Sequence, residues 1–334
     1  MKILLAIIIT ATFSFGCAML EGEQTTTDSG GGGTTAAPTG GGDSTPTVAA
    51  DSSVTSQRIS SGGRHTCTIK TDGTVECWGY DNNGQSSVPA DLGTVNSISA
   101  GYEHTCAIKT DDTVRCWGSN SYSQITVPGD LNTVSSISAG YEHTCAIKID
   151  DTVKCWGGNI YGGGSFTVPV DLGTVSSISA GQNGTCAIKT DDTVKCWGIN
   201  TPPIDLGTVS KISVGGYHTC AIKTDGTAYC WGGYLGSGEL NSVPPSLGAV
   251  TSISAGHERT CAMKADGTVH CWNGTGAFEV SNVPSDLGAI SDISTGGYYY
   301  GFVFSHTCGI KADGSVRCWG KDSNGQSTVP AELQ

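Results

Sequence analysis

The sequence predicts an all-β fold, a seven-bladed β-propeller built from repeats of about 40 residues. One phrase recurs seven times along the 334 residues, and its clearest copy runs from Gly101 to Gly118. The repeats carry fourteen of the 15 cysteines and every tryptophan, within short strand-like stretches separated by Gly and Asp turns. A unit of this size cannot bury an apolar face alone, so the units must stack on one another. The first cysteines of the seven copies are Cys67, Cys106, Cys145, Cys186, Cys220, Cys261 and Cys308.

Within one repeat, the stretch from Cys106 to Cys116 predicts a β-hairpin with a three-residue loop. If the loop is Thr110–Asp112, Cys106 lies opposite Cys116, and Ile108 lies opposite Val114. Every copy has Asp in the middle of this loop and Gly or Asp after it, and both residues tolerate a left-handed turn conformation. The alternation then predicts one apolar face packed inward and one charged face in solvent.

The paired cysteines predict one disulfide bond in each repeat, because directly opposed cysteines on adjacent strands lie within bonding reach. Zinc is the alternative, since a histidine stands two residues before the first cysteine in five copies. That position is Gly184 or Arg259 in the other two copies, and the cysteines lack the C-x-x-C spacing of structural zinc sites. We therefore expect disulfides, with no metal and no other cofactor. The histidines are His65, His104, His143, His218 and His306. The predicted bonds are Cys67–Cys77, Cys106–Cys116, Cys145–Cys155, Cys186–Cys196, Cys220–Cys230, Cys261–Cys271 and Cys308–Cys318.

The remainder of each repeat predicts how the units join. A tryptophan follows every second cysteine, and its recurrence favours packing between units over ligand binding. A Val-Pro pair and a turn-plus-strand stretch follow, which gives each unit three or four short strands. Units of four strands over residues 57–334 match a propeller. The chain stops at Val329–Leu333, before the strand that follows in any other copy, and Arg58–Gly62 supplies that strand at the start. We therefore predict that the N-terminal strand completes the last blade and closes the ring.

The first 56 residues predict export and anchoring. Residues 1–16 combine Lys2 with the short apolar stretch Ile3–Phe13, as in a signal peptide. Cys17 follows Gly16 in a segment that resembles a lipobox, and it is the one cysteine left without a partner, so we expect it to carry a lipid. Residues 17–56 also form a flexible low-complexity tether. These features predict an outer-membrane or cell-surface lipoprotein of a bacterial envelope, with an ordinary signal peptide cut nearby as the alternative.

Composition limits the partners. The chain has 17 basic and 30 acidic residues, a formal net charge of −13, and no basic run. It therefore repels phosphates, and we expect no nucleic-acid partner and membrane contact only through the lipid. The charge fits a cationic partner or simple solubility. The sequence shows no phosphate loop, nucleophile elbow or metal-spaced His/Glu set, which predicts a non-enzymatic monomer that binds a protein or glycan.

The repeated phrase is His-Thr-Cys-Ala-Ile-Lys-x-Asp-Gly-Thr-Val-x-Cys-Trp-Gly, followed by Asn-Gly-Gln in the first and last copies. From Ile59 onward the chain resembles the regulator of chromosome condensation repeat family, and its cysteine-bearing form resembles the extracellular members. The resemblance implies a seven-bladed propeller. It also implies two alternatives to a simple binding module, because the namesake exchanges guanine nucleotide on a small GTPase and a secreted relative inhibits β-lactamases. A structural surface protein is a further alternative.

The residues just before the histidine position differ most among the repeats and predict where binding occurs. If they project from equivalent turns, they form a ring of tyrosines and carboxylates on one propeller face. The insertion Gly296–Phe304 adds five aromatic residues and predicts the strongest anchor. The alternatives are plain surface variation for the ring and cover of the ring seam for the insertion. The predicted binding residues are Tyr102, Glu103, Tyr141, Glu142, Tyr217, His257, Glu258, Tyr298, Tyr299, Tyr300, Phe302 and Phe304.

Overall fold

Seven antiparallel sheets of three strands each make up the fold in a computed structural model, which describes residues 58–158, 166–198, 201–233, 241–273, 282–299 and 303–334. Each sheet comes from one repeat, with its strands side by side in chain order. A short 3-10 helix, Ala331–Leu333, follows the last strand. The all-β class and the seven units are confirmed. The predicted signal peptide, Cys17 and the tether lie outside the described residues.

The strands of the first four sheets are β1–β3 (Ile59–Ser61, His65–Ile69, Val75–Gly79), β4–β6 (Val95–Ala100, His104–Lys109, Val114–Gly118), β7–β9 (Val134–Ala139, His143–Lys148, Val153–Gly157) and β10–β12 (Val175–Ala180, Gly184–Lys189, Val194–Gly198). The strands of the last three sheets are β13–β15 (Val209–Val214, His218–Lys223, Ala228–Gly232), β16–β18 (Ser252–Ala255, Arg259–Met263, Val269–Asn273) and β19–β21 (Ile290–Tyr299, Val303–Lys311, Val316–Gly320).

The hairpin between the second and third strands has the predicted register. Cys106 pairs with Cys116 and Ile108 pairs with Val114, as expected from the sequence. Asp112 closes the loop with a φ of 62°, in the left-handed region that favours Gly, and Gly73 occupies the same position with a φ of 81°. All seven predicted disulfide bonds are present, each between opposed cysteines of one hairpin. These bonds indicate an oxidising, extracellular or exported environment.

Both faces of each sheet are packed, which corrects the expectation of one apolar and one wet face. Thr105 and Ala107 point away from the disulfide side of β5, and both are fully buried. The reason is the ring itself, because every sheet lies between two others and has no open face. Small residues at these positions let the neighbouring sheet approach. Solvent reaches the charged side chains near the strand ends, such as Arg115.

Each described sheet has three strands rather than the predicted four. The Val-Pro segment adds no fourth strand and forms a turn, in which Leu131 N donates to Pro128 O at 3.0 Å. Val127 N likewise donates to Ile125 O within the same segment. Proline has no N–H to offer a neighbouring strand, so the segment cannot continue a ladder.

Tryptophans join neighbouring sheets, as predicted. Trp117 of the second sheet lies in one hydrophobic cluster with Cys67 and Ile69 of the first sheet. Trp156 of the third sheet likewise packs with Cys106 of the second. Each disulfide is therefore part of the core between two sheets, in addition to closing its own hairpin.

A second set of contacts closes the ring through the inner strands. In every sheet, a serine Oγ of the inner strand accepts a hydrogen bond from a backbone N–H of the next sheet, over 2.8–2.9 Å. The seventh bond returns to the first sheet, so the circle is complete. The donor and acceptor residues are Ala100 to Ser60, Ala139 to Ser99, Ala180 to Ser138, Val214 to Ser179, Ala255 to Ser213, Thr295 to Ser254 and Ser61 to Ser294.

The N-terminal strand takes part in this closure, but it does not pair as predicted. Strand β1 pairs with β2, where Ser60 lies opposite Cys67, so it belongs to the first sheet and not to the last. The last sheet uses its own inner strand, β19. The tight turn between β1 and β2 explains this, because Gly62 N donates to His65 O at 2.8 Å and holds the two strands as a hairpin. The seam is thus closed by side-chain packing and hydrogen bonds between whole sheets.

The repeated histidines are buried links between sheets. His104 Nε2 lies 2.9 Å from Thr144 Oγ1 of the next sheet, and Thr144 Oγ1 donates to Gln124 O. Because the hydroxyl proton is used for that carbonyl, His104 Nε2 must be the donor to Thr144. Burial lowers the pKa of His104 to about 3, so the ring is neutral at physiological pH. The histidines therefore serve as hydrogen-bonding residues between sheets, and the described residues contain no His, Cys, Asp or Glu cluster that could hold a metal.

The sixth sheet replaces this histidine with Arg259, which is fully buried. Its Nη1 donates to Thr307 Oγ1 of the seventh sheet, so the longer side chain makes the same link between sheets. Burial lowers the pKa of Arg259 to about 10.

Candidate binding face

The turn between the first two strands of each sheet lies at the same end of the ring, and we call this end the upper face. The segment after the third strand lies beside that turn, as shown by Tyr80 N, which donates to Arg64 O at 2.9 Å. The opposite end, the lower face, carries the loops between the second and third strands. The predicted binding residues of the second, third, fifth and sixth sheets therefore lie in equivalent upper-face turns, namely Tyr102, Glu103, Tyr141, Glu142, Tyr217, His257 and Glu258.

A cavity of about 110 Å³ opens at the centre of the upper face and is lined by residues from all seven sheets. Each sheet contributes a glycine to the cavity wall, such as Gly101, which directly follows β4. A Cβ added at Gly101 would lie 2.5 Å from Gly140 O and 2.5 Å from His104 Cε1, so no larger residue fits there. The next residue of the turn is large in some sheets, such as Tyr102, and small in others, such as Gly63. The mouth of the cavity is therefore asymmetric.

Two tyrosines form the centre of the larger side. The rings of Tyr102 and Tyr141 are stacked with centroids 4.0 Å apart and planes 13° apart, and both side chains are half-buried. Burial, followed by the neighbouring Tyr102 hydroxyl, raises the pKa of Tyr141 far above its ordinary value. The pair therefore stays protonated and neutral.

Two carboxylates flank this tyrosine pair. Glu103 accepts a hydrogen bond from Asn83 Nδ2 at 2.9 Å, and Glu142 lies near the Tyr122 hydroxyl. Burial raises the pKa of Glu142. The Glu142 carboxylate in turn raises the pKa of Tyr122, with burial and Glu103 as smaller causes. None of the eight ion pairs among the described residues uses Glu103 or Glu142.

Arg64 is a cation on the same side of the cavity. Its guanidinium carbon lies 3.9 Å from the centroid of the Tyr298 ring and 4.9 Å from that of Tyr80. The Tyr298 ring also lies 5.4 Å from that of Tyr102. Arg64 belongs to the first sheet and Tyr298 to the last, so this contact crosses the seam of the ring.

The aromatic insertion only partly behaves as predicted. It lengthens β19 and β20 into a hairpin in which Tyr298 pairs with Phe304, and Gly297 N donates to Gly62 O of the first sheet. Tyr298 is 2% exposed, so it is not the exposed anchor that the sequence suggested. Its contacts with the first sheet agree with the alternative that the insertion covers the seam. Tyr300 and Phe302 lie outside the described residues, and the side chains of Tyr299 and Phe304 are not described.

The remaining predicted residues form a separate group on the fifth and sixth sheets. The rings of Tyr217 and His257 meet edge to face at 4.6 Å. His257 is only 3% exposed, and burial lowers its pKa to about 4, so it acts as support for Tyr217 and not as an exposed contact. Glu258 is half-buried, and burial raises its pKa. The predicted ring is therefore two groups separated by Gln182 and Gly216.

Sequence reasoning missed two residues of the larger group, namely Tyr80 and Tyr122. Arg64 lies just before a histidine and so belongs to the variable positions, but it was not among the predicted binding residues. The signal for Tyr80 was present, because the hairpin register pairs Gly79 with His65 and so places the next residue beside the turn. Tyr122 sits in the equivalent segment after β6 and is 38% exposed.

The fold defines a β-propeller with disulfide-closed hairpins, a class of protein-interaction scaffold. The Regulator of chromosome condensation (RCC1) repeat matches residues 57–85, 95–124, 134–162, 175–201, 209–233 and 302–326. The chain therefore belongs to the RCC1 repeat family. The repeat that forms the sixth sheet is not among the matches, and it is the one in which Arg259 replaces the histidine and Asn273 replaces the glycine after tryptophan.

Solved structures support the same fold. The ectodomain of the receptor kinase ACR4 from Arabidopsis thaliana is 25% identical, with a TM-score of 0.65, and the match covers 83% of this chain and 98% of that one. The ectodomain of the receptor kinase CR4 from Physcomitrella patens is 26% identical, with a TM-score of 0.64 and coverage of 79% and 72%. Prp20p from Saccharomyces cerevisiae is 17% identical, with a TM-score of 0.60 and coverage of 75% and 81%.

No curated protein sequence matches the chain. Within the described residues, no helix has the length and apolar character needed to span a bilayer.

Proposed function

We propose that this chain is an exported, non-enzymatic module that binds a protein partner through the upper face of its propeller. The observation that carries the proposal is the stacked pair Tyr102–Tyr141, flanked by Glu103 and Glu142 at the edge of the central cavity. Half-buried aromatic side chains beside polar groups are the usual anchors of protein interfaces. The equivalent turns of the other sheets carry different residues, so this surface differs from the remainder of the ring.

The cellular setting is part of the proposal. The seven disulfides support export, and the two plant structures of similar fold are ectodomains of receptor kinases. We propose that Cys17 carries a lipid and that residues 17–56 tether the propeller to a bacterial envelope. Metabolic labelling with a palmitate analogue tests the anchor, since Cys17→Ser should abolish incorporation while leaving the propeller folded. Labelling that persists in Cys17→Ser would contradict the anchor without affecting the binding face.

The binding face is tested with the full-length chain exported into an oxidising compartment and immobilised through its tether. We expect Tyr102→Ser/Tyr141→Ser to reduce capture of the physiological partner roughly tenfold or more, because the aromatic anchor is lost. The control is Ile149→Ser, which removes a side chain that is 59% exposed in a lower-face turn. Melting curves of both variants check folding. Loss of capture in Ile149→Ser together with full capture in the tyrosine variant would overturn the proposal.

A further inference from the structure

We infer that the upper face recognises a lysine or arginine side chain on an exposed segment of its protein partner. The cation would dock in the tyrosine–glutamate cluster, which comprises Tyr102, Glu103, Tyr122, Tyr141 and Glu142. The inference rests on the proposed function and specifies the chemistry of the partner. It is carried by charge complementarity, by the placement of the aromatic rings and by one internal cation that already uses this type of contact.

The described charges are distributed unevenly between the two faces. The lysine that ends the second strand, such as Lys109 or Lys148, lies at the lower end of its sheet, where it pairs with the turn carboxylates Asp111 and Asp150 at 3.5 and 3.0 Å. The lower-face loops hold further pairs, including Lys154 with Asp130 at 3.0 Å. Several carboxylates of the lower face, such as Asp111, Asp150 and Asp130, are therefore paired with a lysine of the chain. Glu103 and Glu142 on the upper face are not, as far as the described ion pairs extend.

The two upper carboxylates converge on the same tyrosines. Glu103 and Glu142 both contribute to the raised pKa of Tyr141 and of Tyr122, which places both negative charges within electrostatic range of each ring. Half-burial of Glu142 adds a desolvation cost that a bound cation would offset. The site thus presents two carboxylate acceptors and tyrosine rings in one small area. This is the set of groups that a guanidinium or ammonium ion requires.

Arg64 shows that the neighbouring tyrosines already accept a cation. Arg64 occupies the same position in its turn as Glu103 and Glu142 do in theirs. Its guanidinium lies over Tyr298 and near Tyr80. The first turn therefore supplies its own cation, whereas the second and third turns supply carboxylates beside rings. A cation from a partner would give the tyrosines of the second and third turns the kind of contact that Arg64 gives Tyr298 and Tyr80.

The geometry favours a polypeptide cation over a glycan. Sugars stack on an open aromatic face, but Tyr102 and Tyr141 cover one face of each other at 4.0 Å. Phosphate-bearing ligands are disfavoured by the two carboxylates and by the formal net charge of −13. A lysine or arginine gains from both features, since the carboxylates attract it and the ring edges accommodate its aliphatic stem.

The test uses the full-length chain and four synthetic Gly/Ser nonapeptides that carry three lysines, three arginines, three glutamines or three glutamates. Fluorescence anisotropy measures binding at low and at moderate salt. We expect the two basic peptides to bind, and to bind more weakly as salt increases, whereas the other two do not bind. The ratio between the lysine and arginine peptides identifies the preferred cation.

Two double variants with the same change in net charge localise the effect. Glu103→Gln/Glu142→Gln should weaken binding of the basic peptides roughly tenfold, because both carboxylates are lost while side-chain size is kept. Asp91→Asn/Asp130→Asn neutralises two exposed lower-face carboxylates and should leave binding unchanged. The inference would be overturned if both double variants weakened binding of the basic peptides equally, because the attraction would then be non-specific. It would also be overturned if the glutamine peptide bound as tightly as the basic peptides.

The physiological partner separates this inference from the proposed function. If Tyr102→Ser/Tyr141→Ser abolishes partner capture but Glu103→Gln/Glu142→Gln does not, the upper face binds its partner without a cation, and the inference alone fails. If neither double variant changes capture, the proposed function fails as well. Loss of capture in both, with normal melting temperatures, supports both.

Discussion

At the scale of single residues, the buried histidines show how one repeated side chain sets the behaviour of the fold. Each imidazole donates from Nε2 to a threonine of the next sheet, as His65 does to Thr105 at 2.8 Å. Among the described residues, the Nδ1 atoms of His65, His104 and His143 have no hydrogen-bond partner. A neutral ring suits this place because a protonated one would be a buried charge without a counter-ion. Position, tautomer and charge state are therefore linked.

This linkage predicts acid sensitivity. Burial lowers the pKa of the five repeated histidines to about 3 or 4, whereas in the unfolded chain they titrate near 6.5. Between these two pKa values the unfolded chain binds more protons than the folded one. The contribution of the histidines to the free energy of unfolding is therefore fully present above about pH 6.5 and is lost as the pH falls. Each histidine should contribute a slope of about 1.4 kcal/mol per pH unit in this window. Urea unfolding at pH 7, 6 and 5 measures it, and a free energy of unfolding that stays constant would contradict the assignment.

Arg259 provides a second prediction at this scale. It is a fully buried cation, and its Nε and Nη2 have no hydrogen-bond partner within the part of the chain that the structure describes. Arg259→His should raise the free energy of unfolding by about 1–3 kcal/mol, because unsatisfied buried donors are removed and the link to Thr307 is kept. The reciprocal variant His104→Arg should lower it. Chemical denaturation of both variants checks the signs, and a loss of stability in Arg259→His would show that the arginine is compensated.

At the scale of the element, the unit of stability is the disulfide-closed hairpin packed against the next sheet. Cys106 and Cys116 are opposed within their hairpin and also contribute to the cluster that holds Trp156 of the third sheet. The bond therefore lowers the conformational entropy of the unfolded chain and also fills space in the core between two sheets.

Removal of one bond should have a measurable and local cost. Cys106→Ser/Cys116→Ser is expected to lower the free energy of unfolding by about 3 kcal/mol on the loop-entropy argument, and by more if the buried hydroxyls find no partners. The exposed Thr110→Ser, in the loop of the same hairpin, is the control and should have little effect. Denaturant unfolding of the oxidised proteins provides the comparison. A double variant as stable as the parent would show that the bond is redundant.

The sequence could predict the hairpins because their determinants are local. The ten-residue spacing of Cys106 and Cys116, with Asp112 between them, permits one register, and the structure has that register. Burial of Thr105 and Ala107 could not be predicted in the same way, since a period of two does not reveal that a second sheet covers the outer face. The contact between Arg64 and Tyr298 could not be predicted either, because it joins the first and last sheets, which are far apart in the sequence.

At the scale of the whole molecule, the ring divides structural and binding roles between regions. Repeated residues such as Ser60, His65 and Trp78 face neighbouring sheets and hold the circle together. Residues that vary between repeats project from the upper-face turns, where Tyr102 and Glu103 differ from their counterparts in other sheets. Variation there does not disturb the closure contacts, so binding specificity can change without loss of the fold.

The seam between the first and last sheets provides the last prediction, because no peptide link crosses it directly. Ile59 is fully buried there, in one cluster with Trp78, Cys308 and Ile310. Ile59→Ala should cost about 2–5 kcal/mol, as large-to-small changes in cores do. Hydrogen exchange should increase at both chain ends, in β1–β3 and in β19–β21, because opening the seam frees both sheets. Ile98→Ala, at the equivalent buried position of the second sheet, is the control and should raise exchange around the second sheet without affecting β19–β21. Increased exchange confined to β1 in Ile59→Ala would show that the last sheet is stable without its neighbour. The contacts across the seam would then close the ring without stabilising the last sheet.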